Sequence, residues 1–501
     1  MAVGVVSAAD ALPLYQQNCA ACHGATRLGA SGPALLPESL NRLKKADALD
    51  TIRQGRIATR MPGFGDKLTA DELQALADYL YTPLPHAPNW GDAEIRASRI
   101  EYHATGSLSD KPAFSADMMN LFIVVESGDH HATLLDGDTF EPIKRFATHF
   151  ALHGGPKFSP DGRYVYFASR DGWISKFDIW NLEYVAEIRA GINTRNIAVS
   201  SDGRYVMAAN YLPHTVAIFD ARDLTLIKTI AAVDENGHSS RVSAVYDAAP
   251  RKSFVVALKD IPELWEVSYD DHAPPIYPGL VHDYKMAESL AVPGKLNPRR
   301  TPLESVLDDF FFDQDYVYLM GTSRDGRGQV VNLDVRRKIA DLPLPGMPHL
   351  GSGITWDWHG RQVLATPNLR DSLVSVIDMR SWEIVRQIKT PGPGFFMRSH
   401  ENTRYAWTDV FNGKNKDTLQ LIDKRTLEIA ATITPSPGKT AAHVEFTRDG
   451  RYALVSVWEN DGALVIYDAS TLREIKRLPM NKPSGKYNVY NKINRSSGTS
   501  H

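Results

Sequence analysis

The segment Ser159-Pro160-Asp161-Gly162-Arg163-Tyr164 returns as Ser201-Asp202-Gly203-Arg204-Tyr205 and again as Arg448-Asp449-Gly450-Arg451-Tyr452. Fainter copies are Asp313-Gln314-Asp315-Tyr316, His359-Gly360-Arg361-Gln362 and Glu401-Asn402-Thr403-Arg404-Tyr405. An Asp-Gly pair is turn chemistry: the aspartate bonds nearby backbone, and the glycine accepts a positive φ. Each turn leads into an alternating β run such as Tyr164–Ser169 or Tyr452–Val457. A second run ends in aspartate, as in Ile174–Asp178, Thr215–Asp220, Leu373–Asp378, Leu419–Asp423 and Leu464–Asp468, and a third follows at Leu226–Ile230 or Glu383–Ile388. The unit is a four-stranded antiparallel sheet of roughly forty residues, the period of a β-propeller blade. Weaker copies at Leu121–Phe146 and Lys252–Ser268 bring the expected number to about eight. Pro483–Asn491 is expected to return to the first blade. Asp270–Leu307 holds six prolines and exceeds an ordinary loop, so an insertion between blades is expected there.

Upstream lies a different pattern. Cys19-Ala20-Ala21-Cys22-His23 is the spacing of a c-type haem attachment site, in which each thiol joins one vinyl group and the histidine is the proximal iron ligand. A redox Cys-x-x-Cys pair or half a zinc site are the other readings. The chain has 2 cysteines, so no zinc site can be completed from thiols. Residues 10–82 therefore read as a small all-α cytochrome c domain. Helices are expected over Ala11–Ala20, Leu40–Ile52 and from Thr69, with Leu73, Leu76, Ala77 and Leu80 as the apolar stripe of the last. Arg60-Met61-Pro62-Gly63-Phe64-Gly65 is a Pro/Gly loop that presents Met61, the expected sixth haem ligand. His86 competes for that role from the linker, taken as 83–110. The propeller then spans 111–501, with its insertion at about 270–307.

Composition narrows the function. A net charge of -3 over 501 residues gives no basic surface for nucleic acid and no polybasic membrane anchor. No apolar run is long enough for a membrane span. Met1–Ala9 is apolar but has no basic n-region, and reads as the remnant of a processed or re-engineered N-terminus. With both cysteines taken by haem, no disulfide is expected. Covalent haem implies electron transfer, and the question is what the propeller exchanges electrons with.

An N-terminal cytochrome c followed by an eight-bladed propeller resembles the cytochrome cd1 family, whose propeller binds heme d1. The resemblance rests on Phe150-Ala151-Leu152-His153, Ala190-Gly191-Ile192-Asn193-Thr194-Arg195, Met347-Pro348-His349, Ser456-Val457-Trp458 and Lys486-Tyr487-Asn488-Val489-Tyr490-Asn491. It implies a periplasmic protein of denitrification and one of two activities. One is nitrite reduction to nitric oxide, which uses two histidines above the d1 iron. The other is the oxidation of dihydro-heme d1 to heme d1 during heme d1 biosynthesis. His349 matches the second of those histidines, but Val306-Leu307-Asp308-Asp309-Phe310 offers none for the first. His443, in Ala441-Ala442-His443-Val444-Glu445, stands where a nitrite reductase needs no histidine. The dehydrogenase is the favoured reading. A heme d1 carrier without turnover, and a propeller dehydrogenase of an unrelated small molecule, are the alternatives from other classes.

The resemblance also implies a ligand set. His153 follows an apolar strand and precedes Gly154-Gly155. On residues alone it is more often a hydrogen-bonding surface group; by resemblance it is the proximal ligand of the d1 iron. Lys157, Arg195, Arg241 and Lys259 match basic positions and would clamp the macrocycle's carboxylates. His443, His349 and Tyr487 are the candidates for chemistry, with His443 as base. No Gly-x-Gly-x-x-Gly dinucleotide fingerprint is present, so electrons would leave through the macrocycle to haem c and then to a periplasmic acceptor. Expected partners are the tetrapyrrole, that acceptor, and other heme d1 biosynthesis or nitrite reductase proteins.

Overall fold

A computed structural model describes residues 11–494 apart from 31, 41–42, 56–60, 87, 153–154, 278–290 and 324–325. The helical part contains Ala11–Asn18, Ala20–His23, Pro37–Leu40, Lys45–Gln54 and Ala70–Leu80. The helix expected over Leu40–Ile52 thus begins later, because Lys44 takes an extended conformation as its N-cap. The last helix starts at a capping box: Thr69 Oγ1 accepts from Glu72 N, and the Glu72 carboxylate accepts from Thr69 N at 2.8 Å. Tyr15, Ile52, Phe64, Leu73, Leu76, Ala77 and Leu80 form the buried core, with Met61 packed against it.

The remainder forms eight sheets closed in a ring. Numbering blades along the chain, blade 1 is Leu121–Glu126, His131–Asp136 and Pro142–Ala147, completed on its inner side by Pro483–Asn488. That C-terminal strand pairs Asn488 with Phe122, Tyr487 with Ile123 and Lys486 with Val124. The innermost strands of blades 2 to 5 are Lys157–Phe158, Asn193–Val199, Val242–Ala248 and Asp309–Phe312, and those of blades 6 to 8 are Ile354–Trp358, Met397–Arg398 and Ala441–Phe446.

The three strongest copies of the turn share one chemistry. In blade 2, Asp161 Oδ1 accepts from Arg163 N at 3.1 Å, and Ser159 Oγ accepts from Tyr164 N at 2.9 Å. Ser200, Asp202 and Tyr205 repeat this in blade 3, and Thr447, Asp449 and Tyr452 in blade 8. Gly162, Gly203 and Gly450 sit at φ 74°, 71° and 74°, which a side chain would resist. In blades 2 and 6 the aspartate closing the third strand answers the arginine of the turn: Arg163 reaches Asp178 at 2.9 Å and Arg361 reaches Asp378 at 3.4 Å.

Two boundaries differ from expectation. The insertion lies within blade 4, after its third strand Glu263–Ser268, and not between blades. The blade's outer strand Pro298–Pro302 falls inside the stretch expected to be insertion. Its prolines are tolerated because an outer strand leaves one row of backbone groups without ladder partners. The linker is also more than a tether. Asp92–Ala97 is a helix that buries Ile95 against blades 2 and 3, and Ile100–Glu101 adds a fifth strand to blade 2. The helical part rests on blade 3, where Ala34 and Leu36 pack with Ile192. Arg189 bolts this contact: its guanidinium donates to Leu28 O and Asp171 O and lies 4.6 Å over the Trp90 ring.

Candidate functional site

Cys19 and Cys22 flank one helical turn, half-buried and exposed respectively. His23 follows, 8% exposed, with Nδ1 2.8 Å from Pro33 O. Donation from Nδ1 leaves Nε2 as the free lone pair, the tautomer a proximal iron ligand needs. A Cβ on Gly32 would lie 2.9 Å from His23 Cε1, so only glycine allows the loop to pass the ring. Tyr15 donates its hydroxyl to Gly24 O at 2.7 Å and anchors the attachment helix. Met61 lies against the helical core, whereas His86 is exposed on the linker. These residues fit a covalent haem.

The second site is on the propeller axis. The inner strands bring Arg195, Tyr246, Asp309, Arg398, His443 and Tyr487 from six blades toward one space, with His349 from the loop before blade 6. Tyr487 and His443 stand 5.2 Å apart between ring centroids. His443 also meets Phe396 at 4.9 Å, and His349 meets Phe395 at 4.4 Å. Phe411 and Trp458 continue this aromatic wall, 5.1 Å apart.

Each candidate group is tuned by its surroundings. His443 is 2% exposed, and its Nδ1 has no hydrogen-bond partner among the described residues. Burial, followed by the charges of Lys486, Arg398 and Lys492, holds its pKa well below the ordinary histidine value, so the ring is a neutral acceptor. His349 donates from Nδ1 to Phe395 O at 2.7 Å and directs Nε2 toward Asp309 Oδ2 at 3.6 Å; burial lowers its pKa too. Tyr487 is pushed up to about 12 by burial and keeps its proton as a donor. Asp309, in the stretch Val306–Phe310 that holds no histidine, accepts from Tyr246 OH at 3.0 Å and Gly351 N at 3.0 Å.

Cations surround the same space. Arg398 is 4% exposed with Nε unpartnered, and burial lowers its pKa. Burial drives Lys486 and Lys492 well below the ordinary lysine value. Such a group of buried cations favours an anionic occupant. Lys157 lies 5.9 Å from the Tyr246 ring, and Arg195 stands on the neighbouring inner strand. Arg241 and Lys259 converge over Tyr211, at 5.6 and 5.8 Å, but each already pairs with a carboxylate, Asp260 and Asp308 respectively. His153 lies outside the described residues. Beside it, a Cβ on Gly155 would meet Tyr487 Cε1 at 2.8 Å.

Sequence reasoning did not single out Arg398, Tyr246, Asp409, Lys486 or Lys492. Lys486 sat within a quoted segment, and Asp309 stood where a histidine was sought. Arg398, by contrast, carries no local signal beyond opening a blade. The aromatic wall, the unpartnered Nδ1 of His443 and the buried cations together fit a conjugated ligand with several carboxylates.

Known proteins agree with this geometry. The family description "Cytochrome D1 heme domain" matches residues 116–492, and "Cytochrome C oxidase, cbb3-type, subunit III" matches residues 7–80. The chain is 57% identical to the dihydro-heme d1 dehydrogenase of Pseudomonas aeruginosa over 97% of its own length and 95% of that protein. It is 26% identical to the nitrite reductase of Stutzerimonas stutzeri, over 96% of this chain and 92% of the other. A solved structure, dihydro-heme d1 dehydrogenase NirN in complex with DHE, superposes with a TM-score of 0.90 at 57% identity, covering 96% of this chain and 99% of that one.

Proposed function

As this chain belongs to the cytochrome D1 heme domain family, we propose that it oxidises dihydro-heme d1 to heme d1. The protein is an oxidoreductase that carries covalent haem c and takes a d1-type tetrapyrrole in its propeller. The observation that carries the reading is the neutral, buried His443 with a free Nδ1 beside the proton-bearing Tyr487, both facing the axial space.

The reaction converts a propionate, –CH2–CH2–COO⁻, to an acrylate, –CH=CH–COO⁻, releasing two protons and two electrons. His443 Nδ1 takes a proton from a propionate carbon. Tyr487 donates its O–H to the reacting carboxylate, and His349 orients the ring from the other side with its Nε2. Arg195, Arg398 and Lys157 would hold the remaining carboxylates, and the family resemblance gives His153 as the residue that would ligate the tetrapyrrole iron. Cys19, Cys22, His23 and Met61 would hold haem c, which would supply one-electron acceptance and pass each electron to an external acceptor. The protein works in the periplasm, and that acceptor is a soluble electron carrier of the same compartment.

The stretch Val306–Phe310 weighs against nitrite reduction, since it offers no histidine for the first of the two expected proton donors, and its Asp309 is engaged with Tyr246 and Gly351. The test is anaerobic incubation of the purified protein with dihydro-heme d1 and an artificial electron acceptor. The acrylate product should accumulate, and nitrite should yield no nitric oxide at comparable rate. Tight binding of the tetrapyrrole without product would make the protein a carrier.

A further inference from the structure

Asp409 ends the second strand of blade 7 and is 1% exposed. Three backbone donors converge on it. Oδ1 accepts from Phe395 N at 2.7 Å and Phe396 N at 3.0 Å, and Oδ2 accepts from His443 N at 3.5 Å. Phe395 O in turn accepts from His349 Nδ1 at 2.7 Å. One carboxylate thus reaches the ring of His349 through a single peptide unit on one side, and the backbone of His443 directly on the other. Phe396, whose N–H it also binds, is the ring against which His443 packs.

His443 needs such a hold. Ala442 pairs with Ser456 and Val444 with Val455, which leaves His443 bulged out of the ladder at φ 52°. A residue with a Cβ keeps that conformation only when its surroundings fix it. Lys486 secures the carbonyl side, donating to His443 O, to Ser456 Oγ at 2.7 Å and to Ala442 O at 3.5 Å. Asp409 secures the amide side. An asparagine could not serve equally: it has one acceptor oxygen, and its NH2 would face a donor. Burying a carboxylate is costly, and burial lifts Asp409 to about 7 against the opposing effect of the three N–H groups and Lys486.

We propose that Asp409 is a positioning residue that sets the His349 and His443 rings relative to each other, through the Phe395-Phe396 turn and the His443 bulge. The proposal rests on the reading above, in which both histidines face the bound tetrapyrrole.

The test uses the full-length protein with haem c reduced and histidines labelled with ¹³C at Cε1. Signals of His349 and His443 are identified by their loss in His349→Asn and His443→Asn. In Asp409→Asn both signals should shift, while those of His149 and His214 stay. The kcat for dihydro-heme d1 should fall about 10- to 100-fold, with KM and heme d1 affinity within about threefold of wild type. Movement of one histidine alone, movement of neither, or an unchanged kcat overturns the proposal. Asp409→Glu keeps both oxygens but carries them one methylene further. If only this variant folds, judged by haem content and unfolding midpoint, it must displace the same two signals, and unmoved signals overturn the idea equally. A wild-type protein that never turns over dihydro-heme d1 would sink the proposed function, while the spectra would still judge Asp409.

Discussion

His443 and Tyr487 belong to different blades and stand 44 positions apart in sequence, yet their rings meet at 5.2 Å. The contact exists because the C-terminal strand crosses back to blade 1 and puts Tyr487 on the inner edge, beside the blade that carries His443. A neutral acceptor and a retained donor are thereby set side by side.

Replacing His443 by alanine should cost about 10²–10⁴ in kcat, the usual worth of a positioned acid–base group. Spectrophotometric titration with heme d1 should show binding largely preserved, since the proposed site assigns the hold on the ring to other side chains. Near-normal turnover in His443→Ala with collapse in His349→Ala would exchange their roles. Near-normal turnover in both would leave the reaction without its base.

The pH profile should carry the same signature. Burial together with Lys486, Arg398 and Lys492 depresses the His443 pKa, so the neutral form persists below the ordinary histidine range. The acid limb of kcat/KM, which reports the free enzyme, is therefore expected below about pH 6.5. Bound carboxylates offset those cations, so the acid limb of kcat should lie higher than that of kcat/KM. Coincident limbs would show that the cations and the substrate do not meet at this histidine.

Arg195→Ala and Arg398→Met should each weaken heme d1 binding by about 1.5–3 kcal/mol, the scale of a hydrogen bond to a charged group. Titration at two salt concentrations checks this, because a buried pair is screened little. Arg241→Ala should cost less, since Asp260 already occupies that guanidinium at 2.9 Å.

For the haem c iron, Met61→Ala should lower the reduction potential and abolish the sulfur-to-iron charge-transfer band. His86→Ala should change neither. The reverse pattern would assign the iron to His86.

The turns of the propeller were legible because their chemistry is local. Asp161, Gly162 and Tyr164 make their bonds within a few residues, so their type and spacing can be read directly. The outer strand Pro298–Pro302 was hidden because proline reads as a breaker, and only its place at a blade edge makes it harmless. Asp409 and Lys486 were hidden for another reason. Their bonds to His443 span 34 and 43 positions, and nothing in either neighbourhood announces a partner at that distance. The haem c residues were legible as covalent chemistry that tolerates no other order, and the aromatic wall was not, since phenylalanines in strands read as ordinary core.

The strand that closes the ring also decides when the pocket comes into being. Lys486 and Tyr487 reach the axis only after Pro483–Asn488 has paired with Leu121–Glu126 across 355 or more positions. A chain still being synthesised, or cut short before that segment, has neither the ammonium behind His443 nor the phenol beside it. On the proposed site, tetrapyrrole capture is conditional on a finished ring.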